Sequence, residues 1–505
     1  MLRSIGLLGL AVALAISSHP SAQADFAGVD RLFQDFAAAN HVPGAAWGII
    51  VDGKLTHAGA TGYRELATKS SPDSDTVFRI ASMTKSFTAM SILKLRDEGK
   101  LALDDPAEKY VPELASLKYP TSDSPKVTVR HLLSHSEGFP EDNPWGDQQL
   151  STSDDRLSQM LRGGIPFSNA PGLAYEYSNY GFMILGRIVS RVSGMPYAEY
   201  VTASILRPLG MTSTTLEPAS VPASRLAHGY RWEDNEWKEE RQLPHGAGGS
   251  MGGMLTSIND LSKYVSVFLA AWPPRDGPET APIRRASLRE MQQMWRPAGA
   301  SVTRDAGGAV QLTAGGYAFG LRVSQTCRFR YIVSHSGGLP GFGSIMQWLP
   351  DEGVGVIAFG NVTYTGWGRV VTNVFDTLAK DGRIRPRRVT PSPALTDSRD
   401  AVSRLVMKWD DGVADRIAAQ NLFLDQSKDR RRAALDSLRT TVGICTLPSD
   451  FDYVENALRG RWTMKCEHGN LQVSITLAPT MPPTVQFLAV GPAPPVAPRT
   501  DSSCP

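Results

Sequence analysis

Strand-like runs stand at both ends of one long stretch of this chain, and that placement constrains the fold more than any other feature. Near the start, Ala45 to Val51 and Leu55 to Gly59 read as strands joined by Asp52-Gly53, a pair suited to a tight hairpin turn. Late in the same stretch, Arg328 to Ser334, Gly343 to Leu349 and Gly353 to Gly360 read as further strands separated by glycine turns. Helices are predicted from Val29 to Asn40, before the first strand, and from about Arg369 to Lys380, after the last. Strands contributed by distant parts of a chain, with helices between them, predict an α+β domain on an antiparallel sheet.

The chain has 505 residues, more than one hydrophobic core usually serves, so two domains are expected. The large one is placed at residues 25–382. A Pro- and Arg-rich linker follows at 383–394 (it includes RIRPRRVTPSP), then a small α+β accessory domain at 395–490 and a disordered Pro-rich tail at 491–505. In the accessory domain Val402, Leu405, Val406, Trp409, Val413 and Ile417 recur at helical spacing. A second helix is expected over Asp429 to Thr441, and alternating strands flank Gly469-Asn470. Helices followed by a curled sheet suggest a cystatin-like or nuclear-transport-factor-like (NTF2-like) shape.

Residues 1–24 read as an export signal: Arg3 supplies the charge, Ile5 to Ile16 is apolar, and Ala22-Gln23-Ala24 fits a small-x-small cleavage site. Cleavage is expected after Ala24, giving a periplasmic or secreted protein. No later apolar run reaches the roughly 18 residues of a membrane span. In an oxidising compartment Cys445 and Cys466 are the plausible disulfide pair, and Cys327 with Cys504 stays open. The net charge is +2, which gives no global field for nucleic acid or acidic lipid. The basic run Arg430-Arg431-Arg432 lies between Asp429 and Asp436 and reads as a solvated helix face. The expected partner is a small molecule or peptide.

Chemistry concentrates in three short motifs. Ser82-Met83-Thr84-Lys85 is an SxxK, which on a helix sets hydroxyl and amine on one face, one turn apart. SxxK recurs at Ser91-Ile92-Leu93-Lys94, but Ser82 follows a strand-like segment and opens a helical run, where its N–H can point at a developing oxyanion. Tyr177-Ser178-Asn179 is the only YxN in the sequence, and a buried tyrosine beside a lysine can lose its proton and act as general base toward the serine. His335-Ser336-Gly337-Gly338 follows Tyr331-Ile332-Val333, so a strand edge there could supply a second oxyanion N–H and pair with an extended substrate. HxG also occurs at His57-Ala58-Gly59. His131 and His135 read as braces of a helix end or turn. No HExxH and no zinc-spaced Cys/His cluster appears among nine histidines, so no metal and no cofactor is expected.

Ordered SxxK, YxN and HxG resemble the serine beta-lactamase-related superfamily, which includes class C beta-lactamases, D-alanyl-D-alanine carboxypeptidases, D-aminopeptidases and family VIII carboxylesterases. Val129 to Gly138, Arg207 to Met211, Gly248 to Met254 and His335 to Pro350 are similar to the same family, so the likeness runs from about residue 29 to 380. The resemblance implies a beta-lactamase/penicillin-binding-protein-like fold. It also implies Ser82 as acylated nucleophile, Lys85 and Tyr177 as the proton-handling pair, and Asn179 as a partner of substrate amide or lysine. His335, Ser336, Gly337 and Gly338 would form the substrate-binding edge, with the N–H groups of Ser82 and Gly338 as oxyanion hole. Efficient class C beta-lactamases carry lysine where this chain has His335, and histidine is mostly neutral at pH 7. The leading expectation is therefore a D-amino-acid peptidase, carboxypeptidase or carboxylesterase. A beta-lactamase, or a penicillin-binding sensor that acylates without efficient turnover, stand as alternatives.

Overall fold

The computed structural model describes residues 26–304, 310–387 and 389–494. The expected export signal, Cys504 and the end of the tail lie outside them. Strands β1 (Gly44–Val51), β2 (Lys54–Gly62), β3 (Phe78–Arg79), β4 (Gly229–Glu233), β5 (Glu236–Glu240), β6 (Leu255–Thr256), β7 (Arg296–Arg304), β8 (Val310–Tyr317), β9 (Arg322–Thr326), β10 (Ile332–Leu339), β11 (Phe342–Leu349) and β12 (Val354–Gly360) fall in the large region. Eight of these form one antiparallel sheet in the order β2-β1-β12-β11-β10-β9-β8-β7, so first and last strands pair as Ala45↔Gly360 through Val51↔Val354.

Side-chain alternation explains why the central strands read as continuous apolar runs. Ala46 and Ile50 of β1 enter one core, together with Ile357 and Phe359 of β12. Ala45, Trp47 and Ile49 enter the core on the other face, with Val354, Val356 and Ala358. Both faces are covered, so every position is apolar. One face packs against α1 (Ala27–Ala39) and a late helix, Gly368–Lys380, through Phe33, Trp47 and Trp367. The other face packs against helices from the middle of the chain: α2 (Thr84–Asp97), α3 (Asn179–Ser193) and α4 (Ile258–Ala270). Following these, the Gly368–Lys380 helix is α5.

The sheet is wider than the sequence suggested. Strands β7 to β9 were not anticipated, because β7 is exposed almost throughout and β8 and β9 mix Gly, Ser, Thr and Gln with few large apolar residues. The expected strand at Arg328 starts at Ile332 and continues through the whole His335–Gly338 motif to Leu339.

Beyond α5, α6 (Pro393–Met407), α7 (Asp411–Ile417) and α8 (Lys428–Val442) pack on a second sheet. Its strands β13 (Tyr453–Asn456), β14 (Arg459–Cys466), β15 (Gly469–Leu477) and β16 (Val485–Pro492) are antiparallel in that order. Their core joins Leu395, Val402 and Val406 to Trp462, Val473 and Val485. The helix starts at Pro393, and β16 takes in Gly491 and Pro492, which the sequence had assigned to the tail. Cys445 and Cys466 are joined by a disulfide. Arg387 is anchored on the large region, donating to Leu269 O at 2.7 Å and Trp272 O at 2.6 Å. Among the described residues no helix is long and apolar enough to cross a membrane.

Candidate active site

Ser82 sits where a strand becomes a helix. β3 is held by β6, with Phe78 opposite Thr256 and Arg79 opposite Leu255, and the chain then makes a tight turn over Ala81–Met83 before α2 begins at Thr84. Ala81 takes φ +47°, a left-handed conformation costly for a residue with a Cβ, and such strain clusters at functional turns. The turn is pinned: Met83 N donates to Ile80 O at 3.2 Å and Thr84 Oγ1 to Ala81 O at 2.7 Å. The Ser82 N–H thus belongs to a first turn, where a helix has no carbonyl of its own to offer.

Lys85 lies one turn on and is wholly buried. Its Nζ is 3.1 Å from Ser82 Oγ, 2.6 Å from Asn179 Oδ1 and 2.9 Å from Met251 O. Desolvation lowers its pKa to about 7, with Asp142 and Asp147 opposing and Arg322 assisting. When the amine is neutral it has two N–H groups. Asn179 Oδ1 and Met251 O can only accept, so they take both, and the lone pair is left facing the Ser82 hydroxyl. That is the geometry of a general base.

Tyr177 is buried beside this pair, with Lys85 Nζ 4.9 Å from its ring centroid. Burial raises its pKa, and contact with the Ser82 hydroxyl and the charge of Arg322 only partly offset that. The resting phenol is therefore protonated, opposite in direction to the expectation that it would lose its proton readily. Desolvation of the phenolate outweighs the nearby cation.

Asn179 opens α3. Asp142, from a loop distant in sequence, accepts from Asn179 N at 2.6 Å, Tyr180 N at 2.8 Å and Ser178 Oγ at 3.2 Å. A carboxylate at a helix N-terminus is favourable both as a cap and against the helix dipole. It fixes the turn that presents Tyr177 and Asn179. His135 supports the same turn: its Nδ1 accepts from Ser178 N at 3.1 Å and its ring lies 4.3 Å from that of Tyr177.

The third motif divides between two faces of β10. His335 is 2% exposed, its Nδ1 2.6 Å from Ser336 O and its Nε2 2.8 Å from Tyr317 OH. A carbonyl can only accept, so Nδ1 carries the proton and Nε2 accepts from the tyrosine. Burial pushes its pKa well below the usual value, so the imidazole is neutral; it lies under the strand on the face it shares with Gly337, its ring centroid 6.5 Å from that of Tyr177. Ser336 is exposed on the opposite face, which Gly338 shares. Pairing of β10 with β9 ends at Ser334↔Arg322, whereas pairing with β11 continues to Leu339, so among the described residues no strand lies beside the edge from His335 onward. Gly337 lets this edge approach the Ser82 turn: a Cβ there would lie 2.1 Å from Ile80 O.

Two cleft residues carried no local signal. Arg322, at the start of β9, is exposed, and its guanidinium carbon lies 5.8 Å from the Tyr177 ring centroid and 5.9 Å from those of Tyr175 and Tyr317. Asp147 is buried, and Tyr364 OH donates to its Oδ2 at 2.6 Å. The duplicate motifs are structural. Ser91 donates to Phe87 O within α2, Lys94 reaches Pro282 O, and His57 Nε2 pairs with Asp30.

Antiparallel sheet, helical partner and a serine in contact with a buried lysine make a fold and a site of the penicillin-binding-protein-like type. The chain belongs to the Beta-lactamase family, whose model matches residues 29–380. It is 27% identical to Protein flp of Staphylococcus aureus (strain COL) over 66% of this chain, and 25% identical to Penicillin-binding protein 4* of Bacillus subtilis (strain 168) over 58%. In each case the match spans 62% of the relative's own length. Among solved structures, the octameric penicillin-binding protein homologue from Pyrococcus abyssi superposes with TM-score 0.60 at 21% identity, covering 90% of this chain and 97% of that one. The penicillin binding protein from Bacillus halodurans gives TM-score 0.55 at 22% identity, covering 69% and 99%.

Proposed function

We propose that this protein hydrolyses amide or ester bonds through an acyl-enzyme on Ser82, and that its substrates are short peptide-like acyl donors ending in a free carboxylate, as in a D-amino-acid carboxypeptidase. The observation that carries the chemistry is the Lys85 amine, buried and 3.1 Å from Ser82 Oγ. Lys85 takes the hydroxyl proton as Oγ bonds to the carbonyl carbon, and the carbonyl electrons move to oxygen, facing the N–H groups of Ser82 and Gly338. The intermediate collapses and the leaving amine or alkoxide departs with a proton from the Tyr177 phenol, which is replenished from the Lys85 ammonium. Water then adds to the acyl carbon and gives Lys85 its proton. The acid leaves and Ser82 regains its hydrogen.

Arg322 supports the substrate class. The third motif lacks a lysine and its histidine is neutral, so Arg322 is the permanent cation beside Tyr177, suited to a carboxylate. The test compares a D-alanyl peptide with its C-terminal amide in the wild type and in Arg322→Gln. Loss of one charge-assisted contact, about 1.5–3 kcal/mol, predicts a roughly ten- to hundredfold preference for the free acid that disappears in the variant. Equal rates on acid and amide in the wild type would remove the carboxypeptidase reading and favour an esterase.

A further inference from the structure

The open edge of β10 is bounded at both ends. At one end β9 stops at Arg322, opposite Ser334. At the other, Tyr364 stands against Gly338: a Cβ on that glycine would lie 2.7 Å from Tyr364 Cδ1. Tyr364 follows β12 and is tied back to the sheet by its N–H, 3.2 Å from Phe342 O. It is 52% exposed, and its φ is +55°, a region a bulky residue rarely occupies unless its surroundings impose it. Its hydroxyl reaches across to Asp147, 217 residues away in the chain, on the helical side of the cleft. That side also carries Asn143, whose Oδ1 accepts from Asn179 Nδ2 at 3.3 Å. The Tyr364–Asp147 hydrogen bond therefore spans the cleft beside the strand edge.

We infer that Tyr364, latched to Asp147, closes the acyl end of the cleft and determines how large an acyl group the enzyme accepts. This rests on the acyl-transfer reading above. A substrate paired with the β10 edge, its carboxylate toward Arg322, runs its acyl portion toward Gly338 and meets the Tyr364 ring. Short acyl groups end before the ring, and longer ones must displace it and break its bond to Asp147. Nothing in the SxxK, YxN or HxG motifs reports this boundary, because Tyr364 and Asp147 belong to none of them.

The test uses a pair of acyl-D-alanyl esters that differ only in the acyl group, acetyl against a bulky peptidyl chain, on wild type, Tyr364→Ala and Tyr364→Phe. Active sites are counted in each protein by fluorophosphonate labelling of Ser82. The ratio of kcat/KM for the bulky ester to that for the acetyl ester is expected to rise roughly tenfold or more in Tyr364→Ala, carried by KM. In Tyr364→Phe, which keeps the ring and loses the latch, it should rise by less. Normal Ser82 labelling with an unchanged or lower ratio in both variants overturns the role of Tyr364 alone. Failure of the wild type to label at Ser82 overturns the acyl-transfer reading, and this inference with it.

Discussion

If Lys85 is the base, acylation must follow the titration of its amine. The lysine works only when neutral, and its pKa is about 7. The active fraction is then about a half at pH 7, roughly a tenth at pH 6 and about a hundredth at pH 5, so the rate falls about tenfold per unit on the acid side and levels off above pH 8. Two substitutions should move this limb in opposite directions. Asp147→Asn removes a charge that favours the ammonium and shifts the limb to lower pH. Arg322→Gln removes one that disfavours it and shifts the limb to higher pH. The assay is the second-order rate of Ser82 labelling by an uncharged fluorophosphonate, which has no carboxylate for Arg322 to hold. A rate independent of pH between 5 and 8, or both variants shifting the same way, would refute Lys85 as the base.

Gly337→Ala sets a methyl group 2.1 Å from Ile80 O, so β10 must withdraw from the Ser82 turn. Labelling is expected to slow about a hundredfold or more, the loss of one oxyanion donor, with circular dichroism unchanged. Glu137 is fully buried and burial raises its pKa well above 4.5, so the folded state holds a proton that the unfolded state releases. Stability should therefore fall as pH rises above about 4.5, by up to about 1.4 kcal/mol per unit. Glu137→Gln lacks this dependence, so its Tm advantage over wild type widens from pH 5 to pH 8; a constant gap would show that the carboxyl is ionised in the fold. Replacing both Cys445 and Cys466 with serine opens a link across 21 residues and should lower the stability of the β13–β16 unit by about 3 kcal/mol, read from its denaturant midpoint.

The parts of the fold visible in the sequence were the strands buried on both faces and the elements with a regular apolar period or a turn signal. β1, β11 and β12 lie in a sheet covered on both faces and read as unbroken apolar runs. The hairpin turn at Asp52-Gly53 and helices α1 and α5 were legible by the same local logic. β7, β8 and β9 escaped because they carry little apolar surface, and with them went Arg322. The three motifs marked the chain segments that meet at the cleft, and the two SxxK copies could be separated because only Ser82 opens a helix. Asp142 could not be found this way, since it caps α3 from 37 residues away. The burial of His335 as a neutral imidazole depends on its contact with Tyr317, which no spacing rule reports.

The central claim is that Ser82 forms the acyl bond, and the most direct test is intact mass spectrometry of the protein mixed with a fluorescent penicillin or a fluorophosphonate, beside Ser82→Ala, over time. One adduct per chain is expected in the wild type, mapped to the peptide containing Ser82 and absent from the variant, with penicillin adduct lifetime separating a turning-over hydrolase from a sensor. Equal labelling of both proteins, or an adduct on another residue, would contradict it.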